Sequence, residues 1–449
     1  MAMGTPGRLL ALGFAGGIVA GAWLLMLPGI TRAAAAPLSA SDALFMATSA
    51  ICVTGLGVRD LLDFSGFGQA MLLLLIQVGG IGIVTLSKLT LLRASRQLGL
   101  GERDLFDASF GRLRYVSPRQ VLSSTIAYTL VCECFGCALL APSFIARHGV
   151  ADGLWAAAFH SVSAFCNAGF GLWPDNLIAY QDDLWVNLVV MVLIVAGGLG
   201  FVVIGDTLSW LHRRRTVPNA RLSLHSKVVL LTTGCLIAGG CLIFLCLESL
   251  NPTGPMAGDP LRALFLSVTA RTAGYNTVAI GELCSPTLLV LILLMFIGGS
   301  PGSTAGGVKT TALAVLVATV RARARGRPET EILDRSVSAG AVGRALGAVA
   351  MMVAVVMVGT VLLIITESGI GPHSAQRAHF LDHLFEVVSA VSTTGLSTGI
   401  TPRLSDPGRA VIELCMFVGR LGPLLMAATL FAHTRSADYR LPREDLIIG

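Results

Sequence analysis

The chain has 449 residues, of which 54% are hydrophobic and 13% are charged, and its mean hydropathy is +0.76. Because soluble domains carry about 25% charged residues, this composition excludes a mainly soluble protein and predicts one that lies mostly in lipid. The net charge of +6 alone would be compatible with a nucleic-acid partner, but the positions of the basic residues argue against that class.

Eight apolar segments are long enough to cross a bilayer, whose ~30 Å core needs roughly 20 apolar residues per helix. The first could also be read as a secretory signal that ends at the alanines of residues 33–36. Its apolar run exceeds the about 7–15 residues of a signal sequence, so we interpret it as a retained helix. No stretch remains for a folded soluble domain. The predicted spans are residues 9–30, 70–87, 121–144, 188–205, 228–247, 288–320 (interrupted), 346–366 and 410–431.

The basic residues cluster at one set of span ends. Twenty-three of the 32 Lys and Arg residues lie in five places. These are Arg8, the segments 88–119, 207–227 and 309–344, and the tail. Such an excess on alternate connections is typical of cytoplasmic loops. The charge therefore predicts a multi-pass protein of the plasma membrane with both termini in the cytoplasm, and no nucleic-acid partner.

Four segments share one pattern, in which a small or polar residue precedes a glycine and a large apolar or aromatic residue follows it. The glycines are Gly55, Gly169, Gly274 and Gly395, and successive ones are 114, 105 and 121 residues apart. A second glycine motif begins 24, 28, 24 and 24 residues beyond them. Two motifs in register, each time between two spans, indicate four tandem repeats. We place the repeats at residues 1–92, 120–212, 226–326 and 343–434, followed by a cytoplasmic tail at 435–449.

The repeats predict an all-α membrane protein. We expect four tandem helix–re-entrant P-loop–helix units in a pseudo-fourfold arrangement, with eight transmembrane helices and four pore half-helices. A half-helix ends in unsatisfied carbonyls that carry a partial charge of about −0.5, so four such ends aimed at one axis favour a cation.

The residues that follow each half-helix are predicted to form a cation filter. Their carbonyls would replace the water shell of the ion, and the glycine permits positive φ and close approach. Alternatively, the glycines only allow close helix packing, and we favour that interpretation for the second motif. The predicted filter residues are Val53, Thr54, Gly55, Asn167, Ala168, Gly169, Thr272, Ala273, Gly274, Thr393, Thr394 and Gly395.

The sixth span is interrupted by a glycine-rich segment, residues 298–309, which we call the inner loop. Five glycines and a proline within ten residues exclude a continuous helix, and each flanking apolar run alone is too short to span. We predict a gate at mid-depth, with an ordinary surface loop as the alternative. The predicted gate residues are Gly298, Gly299, Ser300, Pro301, Gly302, Ser303, Thr304, Gly306, Gly307, Lys309 and Arg420.

Three ionisable residues lie within or next to the apolar segments, close to these motifs. A charge at the bilayer centre costs at least ~2.5–3.5 kcal/mol and usually serves a function. We therefore expect Arg420 to repel cations and to hydrogen-bond carbonyls of the inner loop; pairing with Glu413 is the alternative. Glu133 is either a helix-bundle partner or an ion-pathway group. Arg271 is expected to brace the third half-helix against a glutamate or a carbonyl.

Acidic residues near the predicted pore mouth have two interpretations. They either concentrate cations by focusing the electric field or form a solvated face. These residues are Asp42, Asp60, Asp63, Asp175 and Glu386.

These motifs resemble the superfamily of K⁺ transporters that contains the bacterial Trk and Ktr membrane subunits. AFCNAGF at residues 164–170 and TARTAGYN at residues 269–276 are close to the wording of that family, and the similarity extends over nearly the whole chain. The resemblance implies a single-chain, pseudo-tetrameric pore that holds K⁺ at the filter only. Glycine at all four filter positions, including Gly55, fits selection of K⁺ over Na⁺. Eight spans and the ending at residues 443–449 are most similar to the Ktr pore subunit.

The same resemblance implies ligands and partners. K⁺ would be the transported ion, with Na⁺ as a candidate activator and no cofactor in this chain. The partners would be a second copy in a homodimer, membrane lipid, and a cytoplasmic RCK-type ring that binds nucleotides.

Two other classes compete with a channel-like K⁺ uptake protein. A secondary carrier, for example a K⁺/Na⁺ symporter driven by Na⁺ or H⁺, also contains broken helices, but it often has two inverted repeats. Four repeats in one orientation favour a radial pore instead. An intramembrane enzyme would need a nucleophile with its base or a set of metal ligands, and the sequence has no HExxH motif. We predict that the protein is not an enzyme.

Overall fold

The computed structural model describes residues 5–97, 118–215, 221–251, 254–256, 258–369 and 379–432, leaving aside the side chains at 5–10, 86–97, 118–119, 121 and 423–432. Within these residues the chain forms fourteen α-helices, four single-turn 3₁₀-helices and one short β-hairpin. The predicted helical membrane protein is confirmed in this coarse form. The tail at 435–449, the side chain of Arg8 and most of the basic segment 88–119 lie outside the described residues.

Each of the four glycines of the predicted filter follows a short helix: α2 (Ala40–Cys52), α5 (Val150–Cys166), α9 (Pro260–Thr269) and α13 (Phe380–Ser392). The helices are α1 (Thr5–Leu25), α2 (Ala40–Cys52), α3 (Gly66–Gln97), α4 (Pro118–His148), α5 (Val150–Cys166), α6 (Leu184–Leu199), α7 (Phe201–Arg213), α8 (Leu224–Glu248), α9 (Pro260–Thr269), α10 (Ser285–Phe296), α11 (Thr310–Ala324), α12 (Ala339–Ser368), α13 (Phe380–Ser392) and α14 (Asp406–Ala432).

Four of the eight predicted spans, those at 70–87, 121–144, 228–247 and 346–366, match long apolar helices. Among the described residues, α3, α4, α8 and α12 are long and apolar enough to cross a membrane, and the pair α6–α7 counts as a fifth if it is one span. The span predicted at 188–205 is broken, because α7 leaves α6 at an angle of 102°. Gly200 lies at the bend with φ 78° and ψ 157°, a backbone conformation that is essentially restricted to glycine. Hydropathy does not detect this bend because the apolar character continues through it.

The short helices begin at capping residues and are largely buried. The Ser39 hydroxyl accepts a hydrogen bond from the backbone N–H of Asp42 at the start of α2 (3.0 Å). The Asp259 carboxylate accepts one from Leu261 (2.8 Å), and Pro260 occupies the first turn of α9. Both arrangements satisfy N–H groups that have no partner inside the helix. Most side chains of the four helices are buried, which places them inside the bundle.

The second glycine motif packs the following helix against the end of a short helix. At three of its four positions a methyl group on the glycine would overlap a backbone carbonyl oxygen at the end of a short helix, so the predicted packing role is confirmed there. The pairs are Gly79 with Ile51, Gly197 with Phe165 and Gly419 with Val391. At the fourth position Gly298 instead faces Gly306 of the inner loop.

A small antiparallel hairpin connects α11 to α12. Strand β1 (Thr330–Ile332) pairs with β2 (Arg335–Val337), and Thr330 lies opposite Val337. The two turn residues, Leu333 and Asp334, have positive φ angles of 47° and 63°, as a two-residue type I′ turn requires.

Candidate functional site

The short helices end in the same way at three of four places. The residue after α2, Val53, has a left-handed backbone (φ 57°, ψ 52°). Its N–H bonds to the carbonyl of Ala50 (3.2 Å), and the next N–H, of Thr54, bonds to Ser49 (2.8 Å). This pair of bonds is a Schellman motif, which satisfies the last carbonyls of a helix. The same pattern recurs at residues 167–168 and 393–394, whereas the third helix uses a bond from Ala273 to Thr269 (3.0 Å).

At three of the four loops the residue two positions before the glycine is β-branched, which is unusual for a positive φ angle. Besides Val53, Thr272 has a φ of 64° and Thr393 a φ of 52°. Each such residue costs on the order of 1–3 kcal/mol, and strained residues of this kind cluster at functional sites. The repetition of the same strained position at separate places in the chain points to a functional requirement there.

The four glycine loops, residues 53–55, 167–169, 272–274 and 393–395, meet in a closed ring. A methyl group on Gly169 would lie 2.8 Å from the carbonyl oxygen of Ala273 in the next loop. The other three glycines face the next loop even more closely, so that a methyl group would overlap a carbonyl oxygen there: Gly55 faces Ala168, Gly274 faces Thr394 and Gly395 faces Thr54. Each loop thus contacts the next one along the chain, and the fourth contacts the first, so the loops close around one axis.

The ring brings together all twelve residues of the predicted filter. The residue before each glycine contributes the carbonyl oxygen that contacts the preceding loop, and these four residues are fully buried. The carbonyl of Gly169 itself accepts a hydrogen bond from the Asn176 side chain (3.0 Å). The side-chain hydroxyls of Thr54 and Thr393 are buried without a hydrogen-bond partner among the described residues.

The inner loop makes a tight turn against the bend between α6 and α7. Ser300, Pro301, Gly302 and Ser303 form the turn, in which Ser303 N–H bonds to the Ser300 carbonyl (3.3 Å) and Gly302 has a φ of 77°. Proline followed by a glycine of positive φ is typical of a type II turn. The Ser300 hydroxyl donates to the Leu199 carbonyl, and its N–H donates to Gly198 (3.0 Å). The turn thus satisfies carbonyls that the end of α6 leaves free.

The inner loop also contacts three of the four glycine-loop regions. The Thr304 hydroxyl donates to the carbonyl of Phe165 near the second loop (3.3 Å). The N–H of Gly306 donates to the hydroxyl of Thr272 in the third loop (3.2 Å). A methyl group on Gly306 would overlap Thr393 in the fourth loop. The inner loop therefore lies directly against the side of the ring where the short helices end.

Three basic side chains hold the inner loop through its carbonyls. Arg420 donates to Thr304 (2.6 Å), Arg271 to Gly298 (2.9 Å) and Lys309 to Ala305 (2.8 Å). Within the part of the chain that the structure describes, none of the three forms an ion pair, so Arg420 does not pair with Glu413. Both arginines are buried, with exposed fractions of 4% and 7% for Arg420 and Arg271. The carbonyl contacts expected of Arg420 and Arg271 are present.

Two acidic residues of the predicted mouth neither lie on a solvated face nor present a free charge that could concentrate cations. Asp42 is buried and paired with Arg59 (3.2 Å) and Arg409 (3.0 Å), so its charge is neutralised. Glu386 is fully buried and accepts hydrogen bonds from the hydroxyls of Ser397 (2.8 Å) and Thr401.

The other three acids, Asp60, Asp63 and Asp175, are exposed or partly exposed. Sequence reasoning missed Arg409 because its partner lies 367 residues away, and no local pattern marks that pairing.

Glu133 lies between three helices. Its carboxylate accepts hydrogen bonds from Gln77 of α3 (2.6 Å) and from the Cys166 thiol of α5 (3.7 Å), and its backbone carbonyl accepts one from Ser161 (2.7 Å). These contacts are those of a helix-bundle partner, the first of its two predicted roles.

Comparison with known proteins places this architecture in one family. Residues 19–438 match the profile of the TrkH family, described as cation transport proteins. The chain is 38% identical to the Ktr system potassium uptake protein B of Bacillus subtilis over 99% of this chain and 97% of that protein. It is 34% identical to the potassium/sodium uptake protein NtpJ of Enterococcus hirae, over 99% and 97% of the two chains.

The fold is also that of a solved structure. The potassium transporter TrkH of Vibrio parahaemolyticus superposes with a TM-score of 0.70, at 19% identity, over 96% of this chain and 85% of that one. The buried ring and the bundle around it thus occur in a chain that belongs to the TrkH family of cation transport proteins, a family of membrane transporters and not of enzymes.

Proposed function

We propose that this chain takes up K⁺ across the plasma membrane by channel-like conduction through the ring of glycine loops. The observation that carries the proposal is the closed order of contacts from Gly55 to Ala168, Gly169 to Ala273, Gly274 to Thr394 and Gly395 to Thr54. K⁺ is the cation chosen because similar proteins such as the Bacillus subtilis relative are named potassium uptake proteins.

The ring suits a dehydrated cation for two physical reasons. Backbone carbonyls around one axis replace the oxygens of the water shell. Four helix C-termini, each with a partial charge of about −0.5, surround the same axis and attract a cation without an ionised side chain in the ring. The positive φ angles of Val53, Thr272 and Thr393 turn the chain out of the helical path, so that the carbonyls that follow can face the axis.

The inner loop is the proposed gate. Its contacts with the second, third and fourth glycine-loop regions support a position across the exit of the ring, where Arg420 hydrogen-bonds to the Thr304 carbonyl. A buried guanidinium at this point also repels a passing cation. Opening then requires the inner loop to leave Arg420 and the bend at Gly200.

The cellular setting is proposed from charge and from the relatives. The excess of Lys and Arg on alternate connections favours cytoplasmic termini in the plasma membrane. Because two relatives are named as parts of a Ktr system, we propose a homodimer of this chain that docks on a cytoplasmic RCK-type nucleotide-binding ring.

Ion flux into liposomes that contain the purified protein tests the conduction proposal. K⁺ flux should exceed Na⁺ flux, and Gly55→Ser and Gly274→Ser should each reduce this ratio because the added side chain meets the carbonyl of the next loop. Gly205→Ala in α7 is the matched control, since a methyl group there would have no neighbour within 4 Å. Equal K⁺ and Na⁺ flux in the unmodified protein would reject the proposal.

A coupled carrier is the second candidate, favoured by the similarity to NtpJ, which is named a potassium/sodium uptake protein. The same liposomes distinguish the two. A symporter accumulates K⁺ against its gradient when an inward Na⁺ or H⁺ gradient is imposed, whereas a channel lets K⁺ follow its own electrochemical gradient whatever the other ion does.

A further inference from the structure

Tyr275 directly follows the glycine of the third loop and reaches across to the second. Its side chain is fully buried. Its hydroxyl donates a hydrogen bond to the carbonyl of Phe170 (3.0 Å) and lies 3.5 Å from the carbonyl of His160. Phe170 directly follows Gly169, so one hydroxyl connects the residues that follow two neighbouring glycine loops.

Both ends of this connection are fixed by further hydroxyl groups. The Phe170 carbonyl also accepts a hydrogen bond from Ser163 of α5 (2.9 Å). The carbonyl of Tyr275 accepts one from Thr269 of α9 (2.6 Å). A continuous path of hydrogen bonds therefore leads from α9 through Tyr275 to α5, and the two short helices cannot separate without breaking it.

The other three loops have no such hydroxyl. The residues equivalent to Tyr275 are Leu56, Phe170 and Leu396, whose side chains cannot donate a hydrogen bond. The interface between the second and third loops also contains a backbone hydrogen bond, from the N–H of Leu177 to the carbonyl of Asn276 (3.1 Å). Within the described residues, the tyrosine hydroxyl is thus found at one of the four interfaces of the ring.

We propose that the Tyr275 hydroxyl is a positioning group that sets the distance between the second and third glycine loops and thereby the preference for K⁺ over Na⁺. The inference rests on the proposed function. Without the hydroxyl the two loops relax apart, and the ring then accepts ions that keep part of their water shell. The tyrosine ring itself fills the core, so its packing and its hydrogen bond are separable.

Tyr275→Phe separates them, because it removes one oxygen and keeps the ring. We expect the ratio of K⁺ to Na⁺ flux in liposomes to fall about fivefold, the change that corresponds to one net hydrogen bond, while K⁺ flux itself persists. Tyr180→Phe is the matched control. Tyr180 is also buried (2% exposed), but its hydroxyl bonds to His148 (2.7 Å) and not to a glycine-loop region.

Thermal unfolding in detergent accompanies the flux measurement. A lower melting temperature for Tyr275→Phe with an unchanged flux ratio would assign the hydroxyl to stability alone and overturn the inference. Ser163→Ala removes the other donor to the same carbonyl and should lower the ratio in the same direction. If Tyr275→Phe does not assemble, an unchanged ratio in Ser163→Ala overturns the inference.

The flux ratio of the unmodified protein distinguishes a failure of the Tyr275 role from a failure of the proposed function. Discrimination by the unmodified protein, with the same ratio in Tyr275→Phe, rejects the role of Tyr275 and leaves the proposed function standing. Absence of discrimination in the unmodified protein rejects both.

Discussion

The helices that follow the four glycine loops differ, although the loops themselves meet in one ring. After the first and fourth loops, α3 (Gly66–Gln97) and α14 (Asp406–Ala432) run without a break. After the second and third loops the helix is interrupted, by Gly200 in one case and by the inner loop in the other. The repeat is kept in the ring of glycine loops and is lost in the helices that follow it.

The two interruptions fit each other. The bend at Gly200 frees the carbonyls of Gly198 and Leu199, and Ser300 of the inner loop donates to both. A methyl group on Gly200 would lie 2.9 Å from the Gly302 carbonyl oxygen. The bend therefore makes the space and the hydrogen-bond acceptors that the inner loop uses, whereas the unbroken α14 contributes the arginine that holds it.

The largest expected effect comes from Arg420, which connects an unbroken helix to the inner loop. Arg420→Ala should raise K⁺ flux in liposomes about tenfold to a hundredfold, because a hydrogen bond to a charged group contributes roughly 1.5–3 kcal/mol. Arg403→Ala, at an exposed arginine, is the control. Unchanged flux in Arg420→Ala would show that the inner loop is not held closed by this contact.

The next effect concerns stability and tests the bend itself. Gly200→Ala should destabilise the protein by about 1–3 kcal/mol, because alanine is strained at a φ of 78° and ψ of 157°. Thermal unfolding in detergent measures the change. Gly205→Ala, five residues further in α7, should instead stabilise by up to about 1 kcal/mol. Equal melting temperatures for the two variants would mean that the bend is not built on Gly200.

The smallest effect is expected at Lys309, which begins α11 and bonds to Ala305 within the inner loop. Lys309→Met keeps the length of the side chain and removes the donor. Its K⁺ flux should rise less, by about two- to tenfold, because this bond joins two residues of the inner loop and does not attach the loop to another helix. A rise larger than that of Arg420→Ala would assign the main anchor to Lys309 and reverse the ranking.

The sequence predicted the parts of the molecule that repeat. The four glycines and the residues before them identified the short helices and their loops, because an in-register pattern reflects a shared backbone requirement. The glycines and proline at 298–307 likewise predicted that the sixth span is broken, and the isolated charge of Arg420 predicted contact with that segment. These inferences needed only local composition and spacing.

The remaining features depend on distant contacts or on single dihedral angles. The bend at Gly200 was missed because Gly197, Gly198 and Gly200 look the same in sequence, while one of them adopts a positive φ angle. The pairing of Asp42 with Arg409 joins opposite ends of the chain, so local charge patterns suggested an exposed acid. Glu386 was likewise placed at the mouth because its hydroxyl partners, Ser397 and Thr401, are not recognisable before folding.

The most direct test of the account is where a heavy K⁺ substitute binds. Crystals grown in Rb⁺ and measured at its absorption edge would locate the ion by anomalous scattering. The account predicts peaks on the axis enclosed by the carbonyls of Thr54, Ala168, Ala273 and Thr394. A well-ordered ring with no peak on that axis, or with Rb⁺ bound only elsewhere in the protein, would contradict it.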